Sequence, residues 1–98
     1  MHARIGVWKG DAGELERWIM RSTLEVKPAV QAQPGAKGAF WLLDRESGKA
    51  LTITLWEDEA AMRASDARAA VIQGGTSAVS GARFSTERYQ IVDWFRAP

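Results

Sequence analysis

The sequence contains no cysteine and a single histidine, His2, so several common kinds of functional site are missing from it. Without cysteine there is no disulfide, no thiolate metal site and no cysteine nucleophile. The serines at 77, 80 and 85 have no histidine near them, which excludes a Ser-His-Asp arrangement, and we interpret His2 as a solvated terminal residue. No Asp or Glu spacing resembles a calcium loop or a two-metal cluster. We therefore predict a protein with neither a metal site nor a cofactor.

An excess of one charge and long apolar runs are also absent. The formal net charge of +1 gives no indication of nucleic acid or an anionic membrane as a partner, since both require clustered cations. No segment approaches the length of a membrane span, and the apolar run within MHARIGVWKG is too short for a signal peptide. We expect a cytoplasmic protein that binds neither nucleic acid nor membrane.

Tryptophan is the residue that the chain has in excess, with five tryptophans against one tyrosine. A length of 98 residues predicts one domain, covering 1–98. A domain of this size buries only roughly 60% of the surface of its unfolded chain, so its stability margin is thin. A second subunit that covers part of the surface would add to that margin.

The first third of the chain predicts a strand and then a helix. Alternating side chains indicate a strand over residues 3–8. Asp11 is placed to cap an amphipathic helix, and Trp18 lies in the apolar stripe of that helix, where we expect it in the core. Pro28 predicts that the helix ends or kinks near Lys27, with one further turn after it.

The remainder predicts a hairpin, a second helix and a last strand. Gly48 suits a left-handed turn position, Asp58 suits the cap of the second helix, and Gly74 suits its end. The order βαββαβ favours one antiparallel sheet with two helices on the same face, a ferredoxin-like α+β sandwich. We interpret the charged side chains of the second helix as a solvated face: Glu59, Arg63, Asp66 and Arg68. The predicted elements are strands over 39–44, 49–56 and 85–95, and a helix over 59–73.

The hairpin predicts two different sheet faces. With an even number of loop residues, Trp41 opposes Thr52, and cross-strand partners share a face. A slip of one residue would exchange these sets. What we call the mixed face consists of Ala39, Trp41, Leu43, Thr52, Thr54 and Trp56. What we call the apolar face consists of Phe40, Leu42, Leu51, Ile53 and Leu55.

Each face predicts a different role. The apolar face is too apolar to meet water and favours packing against the sheet of a second copy. The mixed face, with two indoles and two hydroxyls, is an unusual lining for a helix-packed core and suits a cavity. Trp56 is either a pocket wall or plain core, and as a pocket wall its ring would be open for stacking on a flat ligand. For Trp8 and Trp94, near strand ends, we expect interface packing.

These residues resemble the antibiotic biosynthesis monooxygenase-like family. The likeness runs through nearly the whole chain and is sharpest over 34–66, in PGAKGAFWLLDRESGKALTITLWEDEAAM, with ERYQIVDW near the end. The resemblance implies a dimeric α/β barrel in which two sheets pack face to face. It also implies a pocket between each sheet and its own helices, with the strand-end tryptophan, here Trp56, on that pocket.

The resemblance implies two well-defined activities, heme degradation and cofactor-independent oxygenation, and this chain lacks residues that each of them uses. Heme-degrading members use an Asn on the first strand, the strand-end Trp and a His on the second helix, and only Trp56 is present here. We therefore predict no specific heme binding. Cofactor-independent oxygenases pair that Trp with an Asn four positions earlier and a Tyr six positions later, where this chain has Thr52 and Met62. A threonine can still donate a hydrogen bond, but a methionine cannot replace a phenol.

Two functions are consistent with this sequence. One is a homodimer that binds an aromatic or polyketide-like compound and oxidises it as a cofactor-independent monooxygenase. The other is a non-enzymatic barrel that binds small molecules or only assembles with itself. The sequence assigns no catalytic residue. The predicted ligand-binding residues are Trp56, Trp41, Thr52 and Thr54.

Overall fold

A computed structural model describes residues 1–66 and 83–98 of the chain. Its four strands form one antiparallel sheet in the order β2-β3-β1-β4, with the connections of a ferredoxin-like fold, as predicted. The second helix ends at Ala64 with Ser65 as its C-cap, so the prediction of one continuous helix over 59–73 is wrong. The predicted stop at Gly74 lies outside the described residues, as do Arg68, Ser77 and Ser80. The elements are β1 (His2–Lys9), α1 (Ala12–Gln31), β2 (Ala36–Asp44), β3 (Lys49–Trp56), α2 (Glu59–Ala64) and β4 (Arg83–Gln90).

Helix α1 begins where its cap predicts and continues for one turn past its proline. The Asp11 carboxylate accepts a hydrogen bond from the Glu14 backbone N–H at 3.1 Å, as an N-cap does. Pro28 lies inside the helix, so the alternative of an end near Lys27 is wrong, and the further turn predicted after Pro28 is present and has Ala32 as its C-cap. A proline removes one backbone donor but its fixed φ is helical. The last turn therefore continues, and the backbone N–H of Ala32 donates to the Pro28 carbonyl at 3.1 Å.

The β2–β3 hairpin has the predicted register. Trp41 pairs with Thr52 and Asp44 pairs with Lys49, so the mixed and apolar faces are composed as the sequence indicates. Gly48 has a φ of 66°, the left-handed conformation that glycine adopts without a steric penalty. Its carbonyl accepts a hydrogen bond from the backbone N–H of Gly10 at 2.9 Å, which joins the hairpin loop to the β1–α1 connection.

Strand β1 lies between β3 and β4 and divides its side chains between the two faces. Arg4 pairs with Thr54 and Trp8 with Ala50, which places Arg4 and Trp8 on the helix side of the sheet. The ring centroids of Trp8 and Trp18 are 4.3 Å apart, and both tryptophans are buried. The core prediction for Trp18 is confirmed. The interface prediction for Trp8 is wrong, because strand alternation turns its ring under α1. The main core cluster is Trp8, Leu15, Trp18 and Ala50.

The chain termini differ from their predicted roles. His2 is part of β1, and only 21% of its side chain is exposed, so the solvated-terminus interpretation is wrong. Strand β4 ends at Gln90, earlier than predicted, and Trp94 lies beyond it with a largely exposed ring. The segment that follows β4 is joined to β1 by a hydrogen bond from the Ile91 N–H to the Met1 carbonyl at 2.9 Å.

The apolar face is open to solvent in the single chain. Phe40 is 53% exposed and Leu42 is 44% exposed, which is unusual for large apolar side chains at the middle of a strand. On β1, Ile5 and Val7 pair with the apolar-face residues of β3 and extend the same surface. Both helices pack on the opposite side, so nothing within the described residues covers this face.

Candidate ligand-binding cavity

A cavity lies between the mixed face of the sheet and helix α1. It is open to solvent on one side, and the centre of a water-sized sphere can occupy about 50 Å³ of it. All four residues predicted to bind a ligand line it, together with the inward face of the last turns of α1. The side chains that form the wall are mainly apolar, and the α1 contribution is Val26, Ala29 and Val30.

Trp56 lies in the wall of the cavity. Its side chain is 0% exposed, and its indole Nε1–H donates to the Thr54 hydroxyl oxygen at 2.9 Å. The Arg4 guanidinium carbon lies 5.3 Å from the centroid of the ring, within the range of a cation–π contact. The expectation that this ring is open for stacking on a ligand is therefore wrong, because neighbouring side chains already cover it. Trp56 is both a core residue and part of the cavity wall.

Trp41 is the aromatic side chain that a ligand can reach. It is half-buried, lines the cavity and is held in place by a hydrogen bond from its Nε1–H to the Ser22 hydroxyl at 2.9 Å. Ser22 belongs to α1 and is buried, so this bond joins the helix to β2. A ring fixed at one edge and open on a face is suited to stacking on a flat ligand.

The two threonines differ in what they can offer. The Thr54 hydroxyl accepts the hydrogen bond from Trp56 and lies 3.5 Å from the Arg4 carbonyl. The Thr52 hydroxyl lines the cavity and makes no side-chain hydrogen bond with any of the described residues. Thr52 is therefore the threonine whose donor and acceptor are both available to a bound molecule.

Arg4 is a charged cavity residue that was not predicted from the sequence. It is 5% exposed, and its Nη1 donates to the Ser65 hydroxyl and to Asp66 Oδ1, both at 2.8 Å, and to the Met62 carbonyl at 3.2 Å. Burial is the main influence on this guanidinium and lowers its pKa, against the hydrogen bond and the charge of Asp66, which raise it. An arginine remains protonated under such a shift, so the cavity contains a cation.

Asp66 is more than part of a solvated helix face. Its Oδ1 accepts from Arg4 and its Oδ2 lies 3.3 Å from Arg88 Nη2 on β4. The solvated interpretation of Asp66 is therefore wrong, whereas Arg63 and Glu59 do form an exposed pair on α2. The carboxylate compensates a buried charge, which would otherwise be costly to desolvate.

One signal in the sequence could have indicated Arg4. Once Ile5 and Val7 are assigned to the apolar face, strand alternation places Arg4 on the helix side with Trp8. A charged side chain on a buried face needs a partner or a ligand. The sequence pattern does not name that partner, because Asp66 is 62 residues away along the chain.

A second, more open groove continues the cavity toward solvent. It shares Val30, Ala39 and Trp41 with the cavity, and it brings Lys27 of α1 and Lys37 of β2 to its rim. Neither lysine forms an ion pair with a described residue. The route into the cavity is therefore bordered by positive charge.

The described ranges, 1–66 and 83–98, contain no group of three or more His, Cys, Asp or Glu side chains arranged to hold a metal ion. None of the helices within them is both long and apolar enough to cross a membrane.

Comparisons with known proteins find likeness of structure without likeness of sequence. No family model matches the chain. No curated protein matches it. Solved structures do match, and the resemblance inferred from the sequence is confirmed as a likeness of fold: the similar structures are antibiotic biosynthesis monooxygenase-like, ferredoxin-like proteins.

Three of these similar structures cover nearly the whole chain. A monooxygenase, ActVA-Orf6 of Streptomyces coelicolor, solved in complex with nanaomycin D, has a TM-score of 0.80 at 14% identity, over 99% of this chain and 92% of that one. The heme-degrader MhuD of Mycobacterium tuberculosis, with two hemes in its active site, has a TM-score of 0.72 at 20% identity, over 98% and 100%. A dimeric ferredoxin-like protein from an uncultured marine organism has a TM-score of 0.71 at 12% identity, over 96% of each chain. At these identities the comparisons show the fold alone.

Proposed function

We propose that the protein is a homodimer that binds one aromatic small molecule in the cavity of each protomer. The observation that carries this proposal is the cavity itself, in which Trp41, Thr52, Thr54 and Trp56 meet the apolar side of α1. Small-molecule sites are typically concave, mainly apolar and equipped with a few directed polar groups. The two similar proteins solved with nanaomycin D and with heme support this proposal, because they hold organic ligands in the same fold.

The cavity favours a flat ligand that carries a polar oxygen. The half-buried Trp41 provides an aromatic ring for stacking in a cavity that the aliphatic side chains of Val26 and Val30 also line. The Thr52 hydroxyl provides a hydrogen bond on the sheet side. An aromatic or polyketide-like compound with a phenol or a carbonyl satisfies both.

The reaction we propose is a monooxygenation without a cofactor. A ring C–H beside a phenol is converted to a quinone carbonyl, one atom of O2 enters the product, the other leaves as water, and the substrate supplies all the electrons. The protein contributes a cavity that excludes water and hydrogen bonds to the oxyanion that develops on the substrate. The similar fold of a monooxygenase supports this step.

One observation favours a second function, binding without chemistry. Met62, which stands where the resemblance places a tyrosine, is buried in α2, and its carbonyl accepts hydrogen bonds from Arg4 and from the Ser65 hydroxyl while its thioether offers no O–H. No phenolic group is therefore present at that position to transfer a proton. A carrier or sensor of aromatic compounds needs the cavity and does not need that group.

The homodimer is supported by the apolar face. Phe40 and Leu42 are exposed, and the apolar-face side chains of β3 are half-buried. Contact of this apolar surface with water is unfavourable, and the matching surface of a second copy would cover it. The similar dimeric ferredoxin-like protein supports the same arrangement. The exposed Val92, Trp94 and Phe95 beyond β4 add apolar area at one end of the sheet.

Binding and oxygen uptake separate the two functions. The purified protein, with a chelator and no added cofactor, is mixed with hydroxynaphthalenes and anthrones while binding is followed by calorimetry and O2 by an electrode. Binding with one O2 consumed per quinone formed supports the monooxygenase, and binding without uptake supports the carrier. Trp41→Leu should weaken binding about tenfold or more, and Leu24→Ala, at an exposed residue of α1 that does not line the cavity, is the control. Absence of binding by every compound would contradict both.

A further inference from the structure

Arg4 has side-chain donors that no described residue accepts. All three of its side-chain hydrogen bonds to described residues come from Nη1. Its Nε–H and Nη2–H groups donate to none of the described residues, and neither nitrogen is among the fully enclosed polar atoms without a partner. Arg4 nevertheless is 5% exposed and lines the cavity. A buried guanidinium with unused donors beside a cavity is arranged to bind an acceptor there.

The charge around Arg4 is not balanced. Asp66 is its only acidic partner among the described residues, and Asp66 is shared with Arg88, so the three groups together carry one net positive charge. No acidic side chain lines the cavity or the adjoining groove within the described residues, whereas Lys27 and Lys37 lie at the groove's rim. An electrostatic field of one sign over an apolar cavity favours a ligand of the opposite charge.

We propose that Arg4 recognises an acidic oxygen of the aromatic ligand, so that the cavity selects compounds that enter as phenolates, enolates or carboxylates. The ring lies against Trp41, and the oxyanion accepts hydrogen bonds from the unused Nε–H and Nη2–H of Arg4. Two parallel bonds from a planar guanidinium hold a carboxylate or a chelating enolate in one orientation. Lys27 and Lys37 attract the anion to the mouth without contacting it in the bound state. This inference rests on the proposed function.

The test compares two probes of the same ring and nearly the same shape, 2-naphthoate, which is an anion, and 2-naphthamide, which is neutral. Calorimetry with the dimeric wild-type protein should show naphthoate bound about tenfold or more tightly, as expected for a hydrogen-bonded charge. Arg4→Met should remove this preference and leave the affinity for naphthamide. Asp66→Asn, which removes the competing carboxylate and keeps an acceptor for Arg4, should increase the preference. Arg45→Met, at an exposed pair with Glu16, is the matched control and should change neither affinity.

Each outcome is decisive. If Arg4→Met does not fold, Asp66→Asn and Arg4→Lys test the role of Arg4 instead. The lysine keeps the positive charge but loses the paired donors, so Arg4→Lys should retain part of the preference for naphthoate over naphthamide. Equal binding of the two probes by the wild type, or a preference that survives in folded Arg4→Met, overturns the role of Arg4 and leaves the proposed function standing. Binding of neither probe overturns the proposed function as well.

Discussion

Trp56 shows, at the scale of a single residue, how one side chain can be both core and cavity wall. Its ring is fully buried, its N–H is bonded to Thr54, and Arg4 lies over it. The same residue lines the cavity. Removing the ring should therefore lower the stability of the fold through lost packing, and it should affect ligand binding only indirectly, through the position of Arg4.

Truncation of Trp56 measures this packing role. Trp56→Ala should lower the free energy of unfolding by ~3–5 kcal/mol, because it leaves a large void and an uncovered guanidinium. Trp56→Phe keeps a ring and loses the bond to Thr54, so a loss of about 1 kcal/mol is expected. Urea titrations followed by circular dichroism give both values. A Trp56→Ala protein as stable as the wild type would show that the ring is not part of the core.

The hairpin shows, at the scale of an element, how a loop fixes register. The Asp44 carboxylate accepts hydrogen bonds from the Glu46 backbone N–H at 3.0 Å and from the Ser47 hydroxyl at 2.8 Å. These bonds hold the pKa of Asp44 below its usual range. Gly48 completes the turn in a left-handed conformation against Gly10. The loop thereby sets which residues of β3 reach the cavity.

Gly48→Ala should therefore be costly. A Cβ at this position would lie 2.2 Å from the Gly10 carbonyl oxygen, a backbone atom, in a conformation that side chains rarely adopt. We expect a loss of more than about 1 kcal/mol in the free energy of unfolding. Gly38→Ala is the matched control, since its Cβ would meet only Leu55 Cδ1 at an ordinary 3.6 Å. Equal stability of the two variants would argue against this account of the turn.

Local signals allowed most of the elements to be predicted from the sequence, and long-range contacts limited the rest. The caps Asp11 and Asp58 and the turn at Gly48 depend on neighbours within three or four residues, and all were predicted. Arg4 was missed because its burial depends on Asp66, which is distant along the chain. Trp8 was assigned to an interface because the sequence did not show which face of the sheet β1 presents to α1.

We expect the apolar face to determine the oligomeric state of the protein. Ile53→Asp should convert the dimer to a monomer or to aggregates, because it would place an unpaired carboxylate within the sheet-to-sheet contact. Light scattering should give twice the chain mass of 10.8 kDa for the wild type and no stable dimer for the variant. Leu24→Asp, at an apolar residue of α1 that is 79% exposed, is the control and should remain dimeric. A wild-type protein that is monomeric at micromolar concentration would contradict the homodimer.

Heme provides a test of selectivity, since a protein of similar fold holds two hemes. No histidine lines this cavity among the described residues, and His2, the only histidine of the sequence, lies near Glu59 at 4.0 Å. We expect titration with heme to give no sharp Soret band and no stoichiometric end point. A tight complex that persists in His2→Ala would contradict this and indicate another axial ligand.

The most direct test of the account is a crystal structure of the dimer grown with saturating 2-naphthoate. The account predicts electron density for the naphthalene ring in the cavity between β3 and the last turns of α1, stacked on Trp41. It predicts the carboxylate within hydrogen-bond distance of Arg4. A cavity without ligand density, or naphthoate bound only elsewhere on the protein, would contradict the assignment of this cavity as the functional site.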